Sequence, residues 1–245
     1  MGAVITFQQE VTPTGTYSHL SQDFRGSGAT NNGVQTLVGY QTAGVLELRT
    51  VMGFDLSAIP AGSTINSVSL RLVSDGSQSG TIAGVGAVNL HEVVPNGIAD
   101  NNMIEGQVNE NTWKTGSNWT NNLGDFTTSS MSTAVLNNAN SNTLLDAGET
   151  ATFNSSPAFV AAAQSSFIAG LPLEFILVAP LAESTTGASN FFRFRSDDFA
   201  TTPADRPLLT IDYTVPEPSS ALVLAVGGVV LLARRRRRHV TPPVA

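Results

Sequence analysis

The chain has 245 residues and no cysteine, which allows one domain with a real hydrophobic core but no disulfide, thiolate nucleophile or thiolate metal site. Its formal net charge of −7 is unevenly distributed. Every acidic residue except Glu217 lies in residues 1–215, whereas five of the 12 basic residues stand together at positions 234–238. The body is therefore strongly acidic, and it lacks the basic face that a nucleic-acid partner requires.

The first ten residues, MGAVITFQQE, lack the basic region and the apolar stretch of an export signal. They are typical of the start of a mature domain. We expect that a signal was trimmed or that the gene start was placed too far downstream.

The next part of the chain predicts β-strands, because apolar and polar residues alternate with a period of two. Val68, Leu70 and Leu72 alternate with Ser69 and Arg71. Further strands are predicted at residues 47–54 and 88–94, and turn signals such as Pro60-Ala61-Gly62 separate them.

Residues 96–142 are rich in asparagine and have little periodicity, which predicts long loops over a sheet with one strand near residues 133–136. Trp113 and Trp119 lie in this stretch. Exposed indole rings stack on the apolar faces of sugars, so the pair is a candidate polysaccharide-binding site. The alternative, which we favour, is that the two rings anchor the loop to the domain.

The rest of the body predicts one helix followed by more strands. Ser155 or Ser156 can cap the helix, Pro157 suits its first turn and Gly170 ends it. Strands are predicted at residues 173–179, which are apolar enough to be buried on both faces, and at residues 191–195 and 209–213. The sequence therefore predicts an all-β fold, a two-sheet antiparallel sandwich of jelly-roll or Greek-key type with one short helix.

Three segments of the body carry a family resemblance: residues 30–39, the strand and turn of residues 49–65 with the sequence FDLSAIPAGSTI, and residues 192–213. In this order they resemble the DNRLRE-type domain, a β-sandwich module of secreted proteins that is related to carbohydrate-binding modules. The resemblance spans most of residues 1–214. It implies an exported sandwich domain with polysaccharide as a candidate partner.

Catalytic and metal-binding patterns are weak in this sequence. Asp197 and Asp198, with Asp55 or Asp23, are candidate calcium ligands, although solvated loop carboxylates are the favoured interpretation because no EF-hand spacing is present. His91 lies in a polar stretch and is predicted to be a surface residue. No G-x-S-x-G elbow marks a nucleophilic serine, so we expect a protein that is not an enzyme and needs no cofactor. A glycan-active enzyme is the weakest alternative.

The C-terminal residues combine three ordered features. Pro216, Glu217 and Pro218 predict a stiff, exposed linker, and the apolar run of residues 221–233 follows it. That run is about 20 Å long as a helix, which is short for a hydrocarbon core of about 30 Å. The third feature is a basic cluster that resists translocation and forms a membrane stop, namely Arg234, Arg235, Arg236, Arg237 and Arg238.

This order of features resembles the PEP-CTERM sorting signal of exported proteins in Gram-negative bacteria that make exopolysaccharide. The resemblance implies processing near Pro-Glu-Pro by an exosortase, a membrane transpeptidase that removes the helix. We therefore divide the chain into a sandwich at 1–214, a linker at 215–220, a sorting helix with its arginine cluster at 221–238 and a tail at 239–245. The expected protein passes through an inner-membrane intermediate to the cell surface or matrix. There it binds polysaccharide or, as the alternative, serves as a structural or adhesive scaffold without a small ligand.

Overall fold

The computed structural model describes residues 2–8, 19–25, 30–31, 35–42, 46–76, 79–94, 103, 107–121, 124–185, 187–199 and 202–216, with the backbone alone for 19–25 and 30–31. The described chain is mostly β-structure. Its strands are β1 Gly2–Phe7, β2 His19–Arg25, β3 Thr30–Asn31, β4 Gln35–Gln41, β5 Leu46–Phe54, β6 Thr64–Val73, β7 Asn89–Glu92, β8 Thr112–Lys114, β9 Ser117–Asn118, β10 Ser132–Asn137, β11 Thr150–Phe153, β12 Leu173–Val178, β13 Asn190–Arg195 and β14 Leu208–Thr214. Its helices are α1 Ile82–Val85, α2 Pro157–Ala169 and α3 Pro180–Ser184, with a short 3-10 turn at Pro203–Asp205.

Twelve of these strands form one large antiparallel sheet, in the order β1-β14-β6-β11-β10-β7-β12-β5-β2-β3, with β4 joining β5 to β13. Strand β10 connects two halves of the sheet, because Ala134 to Asn137 pair with β11 whereas Ser132 and Thr133 pair with β7. Strands β8 and β9 form a separate hairpin. The architecture confirms the prediction of a predominantly β protein with few helices.

The sheet curls, so that both of its halves contribute to one main hydrophobic core. Alternation along a strand places every second side chain in this core. On β14, Leu209, Ile211 and Tyr213 are buried in it, while the residues between them are half-buried. Side chains from several strands of both halves meet in this core, among them Phe54, Leu70, Leu72, Phe175, Leu177, Phe192 and Ile211.

Strand β12 is buried on both faces, as the sequence predicts. Phe175 and Leu177 point into the main core, whereas Ile176 and Val178 belong to a second hydrophobic cluster on the other side of the strand. The asparagine-rich segment supplies much of that second cluster. The predicted loop therefore packs across the outer face of the sheet.

Helix α2 has the predicted start and end. The Ser156 side chain accepts a hydrogen bond from the Phe159 backbone N–H, and Gly170 ends the helix in the left-handed conformation with a φ of 67°. Phe159 and Ala163 are buried in the core. The described residues also include two shorter helices, α1 and α3, which the prediction of one helix did not contain. Each spans about one turn, too short for a hydrophobic period to be visible in the sequence.

Among the helices of the described residues, none has the length and apolar character needed to cross a membrane. The predicted sorting helix and arginine cluster at 221–238 lie outside the described residues.

Candidate functional site

The end of the folded body is held in a defined position. Strand β14 pairs with β6 up to its last residue, where Thr214 lies opposite Thr64. The side-chain amide of Asn66 donates hydrogen bonds to Asp212 Oδ1 at 3.0 Å and to Thr214 Oγ1 at 2.9 Å. Val215 then packs against the main core. The chain is therefore fixed to the domain through the residue that precedes Pro-Glu-Pro.

Pro216 lies against a tight turn. Residues Pro60 to Ser63 form a turn in which the Ser63 N–H donates to the Pro60 carbonyl at 3.2 Å, and Gly62 has a φ of 81°. That φ is the value required at the third residue of a type II turn. A Cβ at Gly62 would lie 3.7 Å from Pro216 Cγ. Pro216 is exposed to solvent on one side and lies against the domain surface on the other. Glu217 and Pro218 are outside the described residues.

A cleft of about 750 Å³ opens beside this turn, between the β5–β6 loop and the C-terminal end of α2. Its lining residues are Asp55, Leu56, Ser57, Ile59, Ala61, Gly62, Ser63, Thr64, Gln164, Phe167, Ile168, Gly170 and Leu171. Asp55 is the single charged residue among them, and its carboxylate accepts hydrogen bonds from the backbone N–H and the hydroxyl of Ser57. Ile168 is 75% exposed. The cleft is thus largely apolar, with an exposed isoleucine beside it.

The sequence did not indicate this cleft, because its two walls are distant in the chain. One wall follows a strand and the other ends a helix about a hundred residues later. A hydrogen bond holds the walls together: Gln164 Oε1 accepts from the Ile65 backbone N–H at 2.7 Å. One sequence signal could have pointed to the cleft. Ile168 is an apolar residue in the last turn of the predicted helix, and it lies outside the face formed by Phe159, Ala163 and Phe167.

The candidate polysaccharide-binding tryptophans are buried. Trp113 is 3% exposed and Trp119 is 6% exposed, and both pack in the second cluster against the outer face of the sheet. Trp119 Nε1 donates to the Asn109 carbonyl at 2.9 Å, and Lys114 Nζ lies 4.1 Å from the centroid of the Trp113 ring. Both rings are therefore packed inside the protein.

A small polar cluster lies near the second hydrophobic cluster. Arg49 forms an ion pair with Glu183 at 2.7 Å and its guanidinium lies 5.3 Å from the centroid of the Phe126 ring. His91 packs edge-on against the same ring and its Nδ1 is 2.8 Å from the Thr127 carbonyl. His91 is buried, so the prediction of a surface histidine is wrong, because the segment 124–127 covers this face of the sheet.

Two titratable groups of this region are perturbed. Burial lowers the pKa of His91 below its ordinary value of 6.5 and Arg49 acts in the same direction, while the hydrogen bond to Thr127 and the charge of Glu183 oppose the change. Burial raises the pKa of Glu92. Both shifts arise mainly from burial of the side chains.

Two of the candidate calcium ligands are not solvated loop carboxylates on an open surface. Asp197 is buried and Asp198 is half-buried. Within the described part of the chain, no group of three or more His, Cys, Asp or Glu residues is arranged to hold a metal ion. The side chain of Asp23 is outside the description, and Asp55 is engaged with Ser57.

Comparison with known proteins concerns the end of the chain. Residues 214–238 match the family model described as the PEP-CTERM protein-sorting motif. No curated protein matches the chain. The match begins at Thr214, the last residue of β14, and continues through Val215 and Pro216 into residues that lie outside the described part of the chain. The chain therefore carries a PEP-CTERM sorting signal at residues 214–238, which marks it as an exported protein of the kind that an exosortase sorts.

Proposed function

We propose that the protein is a cell-surface or extracellular-matrix component that an exosortase processes from an inner-membrane intermediate, leaving the β-domain as the mature body. The observation that carries this proposal is the position of the sorting motif, which starts at the last residue of the terminal strand. Cutting beyond Pro216 would remove the apolar segment and the arginines but no part of the core. The mature product would be an intact acidic domain.

We further propose that the curled sheet is a jelly-roll sandwich of the DNRLRE type. The core that both halves of the sheet share supports this assignment. The proposed divisions of the chain are the sandwich at 1–214, the linker at 215–220, the sorting helix with its arginine cluster at 221–238 and the tail at 239–245.

For the role of the body, we propose a structural or adhesive scaffold that is not an enzyme. The burial of Trp113 and Trp119 supports a scaffold over a polysaccharide-binding module, because stacking on a sugar requires an exposed ring face. The loop that holds them covers the outer face of the sheet instead. A polysaccharide partner would have to use another surface of the domain.

The test of sorting is the intact mass of the native protein isolated from its host. The apolar run of residues 221–233 is about 20 Å long as a helix, shorter than a hydrocarbon core of about 30 Å, which favours a transient membrane stop over a permanent anchor. We expect the dominant species to lack residue 221 and everything after it. A dominant full-length species would contradict the proposal.

A further inference from the structure

We propose that the cleft and Ile168 form the surface on which the membrane transpeptidase docks when it processes this protein. The inference rests on the proposed function, since it requires an exosortase that acts on the tail. It goes further in assigning part of the recognition to the folded domain, at residues outside the sorting motif.

The tether, the segment between Pro216 and the apolar run, is short. Four residues, Glu217 to Ser220, separate Pro216 from the first residue of the apolar run. A fully extended chain spans at most about 3.6 Å per residue, so residue 221 starts no more than about 18 Å from Pro216. Every peptide bond between Pro-Glu-Pro and the membrane segment therefore lies close to the domain.

The tether also has a fixed origin on the domain. Thr214 is paired in the sheet, Val215 packs on the core and Pro216 lies beside Gly62. Even a small protein domain is about 30 Å across. An enzyme of that size, acting within about 18 Å of Pro216, works at less than its own diameter from this end of the domain.

The surface at this end of the domain is largely apolar. The cleft wall is formed largely by apolar side chains, among them Leu56, Phe167 and Leu171, and Ile168 projects beside it with 75% of its surface exposed. Burial of such a side chain at the centre of a contact is what stabilises a protein–protein interface. With Asp55 as the single charged lining residue, already bonded to Ser57, the matching surface on the enzyme is apolar and uncharged.

The test compares two full-length variants, each co-expressed with the exosortase of the host, in a pulse–chase measurement of precursor conversion. Ile168→Asn removes the exposed apolar contact beside the cleft. Val135→Asn is the matched control, because Val135 is also β-branched and 57% exposed but lies on β10 and does not line the cleft. Thermal unfolding of both processed proteins establishes that each variant folds.

We expect processing of Ile168→Asn to be about tenfold slower than that of the wild type, as for the loss of a central interface residue, with Val135→Asn unchanged. Equal rates of precursor conversion for the wild type and Ile168→Asn would overturn the proposal of a docking surface at this cleft. The proposed function would be unaffected by that result. Absence of processing in the wild type overturns the proposed function itself.

The alternative occupant of the cleft that the test must separate from the enzyme is the chain's own apolar run, residues 221–233. Because the chain has no cysteine, an Ile168→Cys and Leu224→Cys pair forms the sole possible disulfide within one molecule. Rapid spontaneous formation of that disulfide in the unprocessed protein, with a Val135→Cys and Leu224→Cys pair remaining reduced, would assign the cleft to the tail and overturn the docking proposal. Reduced thiols in both pairs support it.

Discussion

Pro216 Cγ lies 3.7 Å from the position that a Cβ on Gly62 would occupy, so the first proline of the sorting signal lies on the turn that opens β6. The contact joins two segments that are far apart in the chain. Gly62 belongs to the FDLSAIPAGSTI segment between β5 and β6, and Pro216 belongs to the sorting motif. The sorting signal therefore starts on the domain surface, without a flexible spacer before Pro216.

The turn at Gly62 provides a first prediction. Replacing Gly62 with alanine places a Cβ on a residue with a φ of 81°, which costs about 1–2 kcal/mol of folding free energy. The surrounding space is not the cause, since the one atom near the new Cβ is at ordinary contact distance. The measurement is the free energy of unfolding in urea.

Gly62→Asn serves as the control, because asparagine adopts positive φ more readily than alanine. We expect a smaller loss of stability for this variant. An equal or larger loss for asparagine would mean that side-chain size, and not backbone strain, limits this position.

Leu70 provides a second prediction. It is fully buried on β6, so Leu70→Ala should lower the free energy of unfolding by about 2–5 kcal/mol through lost burial and the cavity left behind. Leu144→Ala is the matched control, because Leu144 is 41% exposed and the same atoms are removed. We expect a change within about 0.5 kcal/mol there. Similar losses for the two variants would show that burial does not set the cost.

The elements that the sequence predicted best are those with a clear local signal. The period of two in β6 and β14 follows from one face packing on the core, and the cap of α2 follows from Ser156, Pro157 and Gly170. Strand β12 was predicted from its continuous apolar run. In each case the residues that decide the structure are adjacent in the chain.

Other elements could not be predicted, because distant residues determine them. Strand β1 carries Val4 with 66% exposure and is held mainly by pairing with β14 at the other end of the body. Strand β11 has four residues, too few for a visible period. The ion pair between Arg49 and Glu183 likewise joins two residues from distant parts of the chain. Proximity in sequence is a poor guide to ion pairs that form across a sheet.

The buried tryptophans lead to a third prediction. Trp119→Ala should lower the free energy of unfolding by about 3–5 kcal/mol, because a large buried ring is removed from the second cluster. Trp119→Phe keeps most of the ring but leaves the Asn109 carbonyl without its indole donor, so we expect an intermediate loss of about 1–3 kcal/mol. The measurement is chemical unfolding of the processed protein.

The same variants distinguish anchoring from sugar stacking. Affinity electrophoresis against neutral and uronic-acid polysaccharides, with calcium and with chelator, measures binding directly. Retardation of the wild type that is lost in Trp119→Phe without loss of stability would contradict the anchoring role. Unchanged migration of folded variants agrees with it.

His91 and Glu92 provide a fourth prediction, about pH. Because the pKa of His91 is lowered in the folded state, the unfolded chain binds its proton first on acidification, and stability falls as the pH drops below about 6.5. Glu92 acts in the opposite direction, because its raised pKa makes the folded state bind a proton at higher pH than the unfolded chain.

Single substitutions separate these two opposing effects. We expect His91→Gln to lose less stability than the wild type between pH 7 and the lowered pKa of the histidine. Glu92→Gln should lose more stability than the wild type on acidification, because the compensating proton uptake is gone. Superimposable pH profiles of unfolding free energy for all three proteins would contradict the packing of these side chains.

The arginine cluster provides the last prediction. Positive residues beside an apolar segment resist translocation, and residues 221–233 alone are too short to span the hydrocarbon core as a stable helix. Replacing all five residues, Arg234 to Arg238, with glutamine should therefore let the tail pass through the membrane. We expect unprocessed protein of full mass to be released on the outer side of the inner membrane. Replacement of the same five residues with lysine keeps the charge and should keep processing, which separates the effect of charge from that of the arginine side chain. If the glutamine variant were processed at the wild-type rate, the cluster would not act as the membrane stop, and recognition of the tail would have to depend on Pro-Glu-Pro and the folded domain beside it.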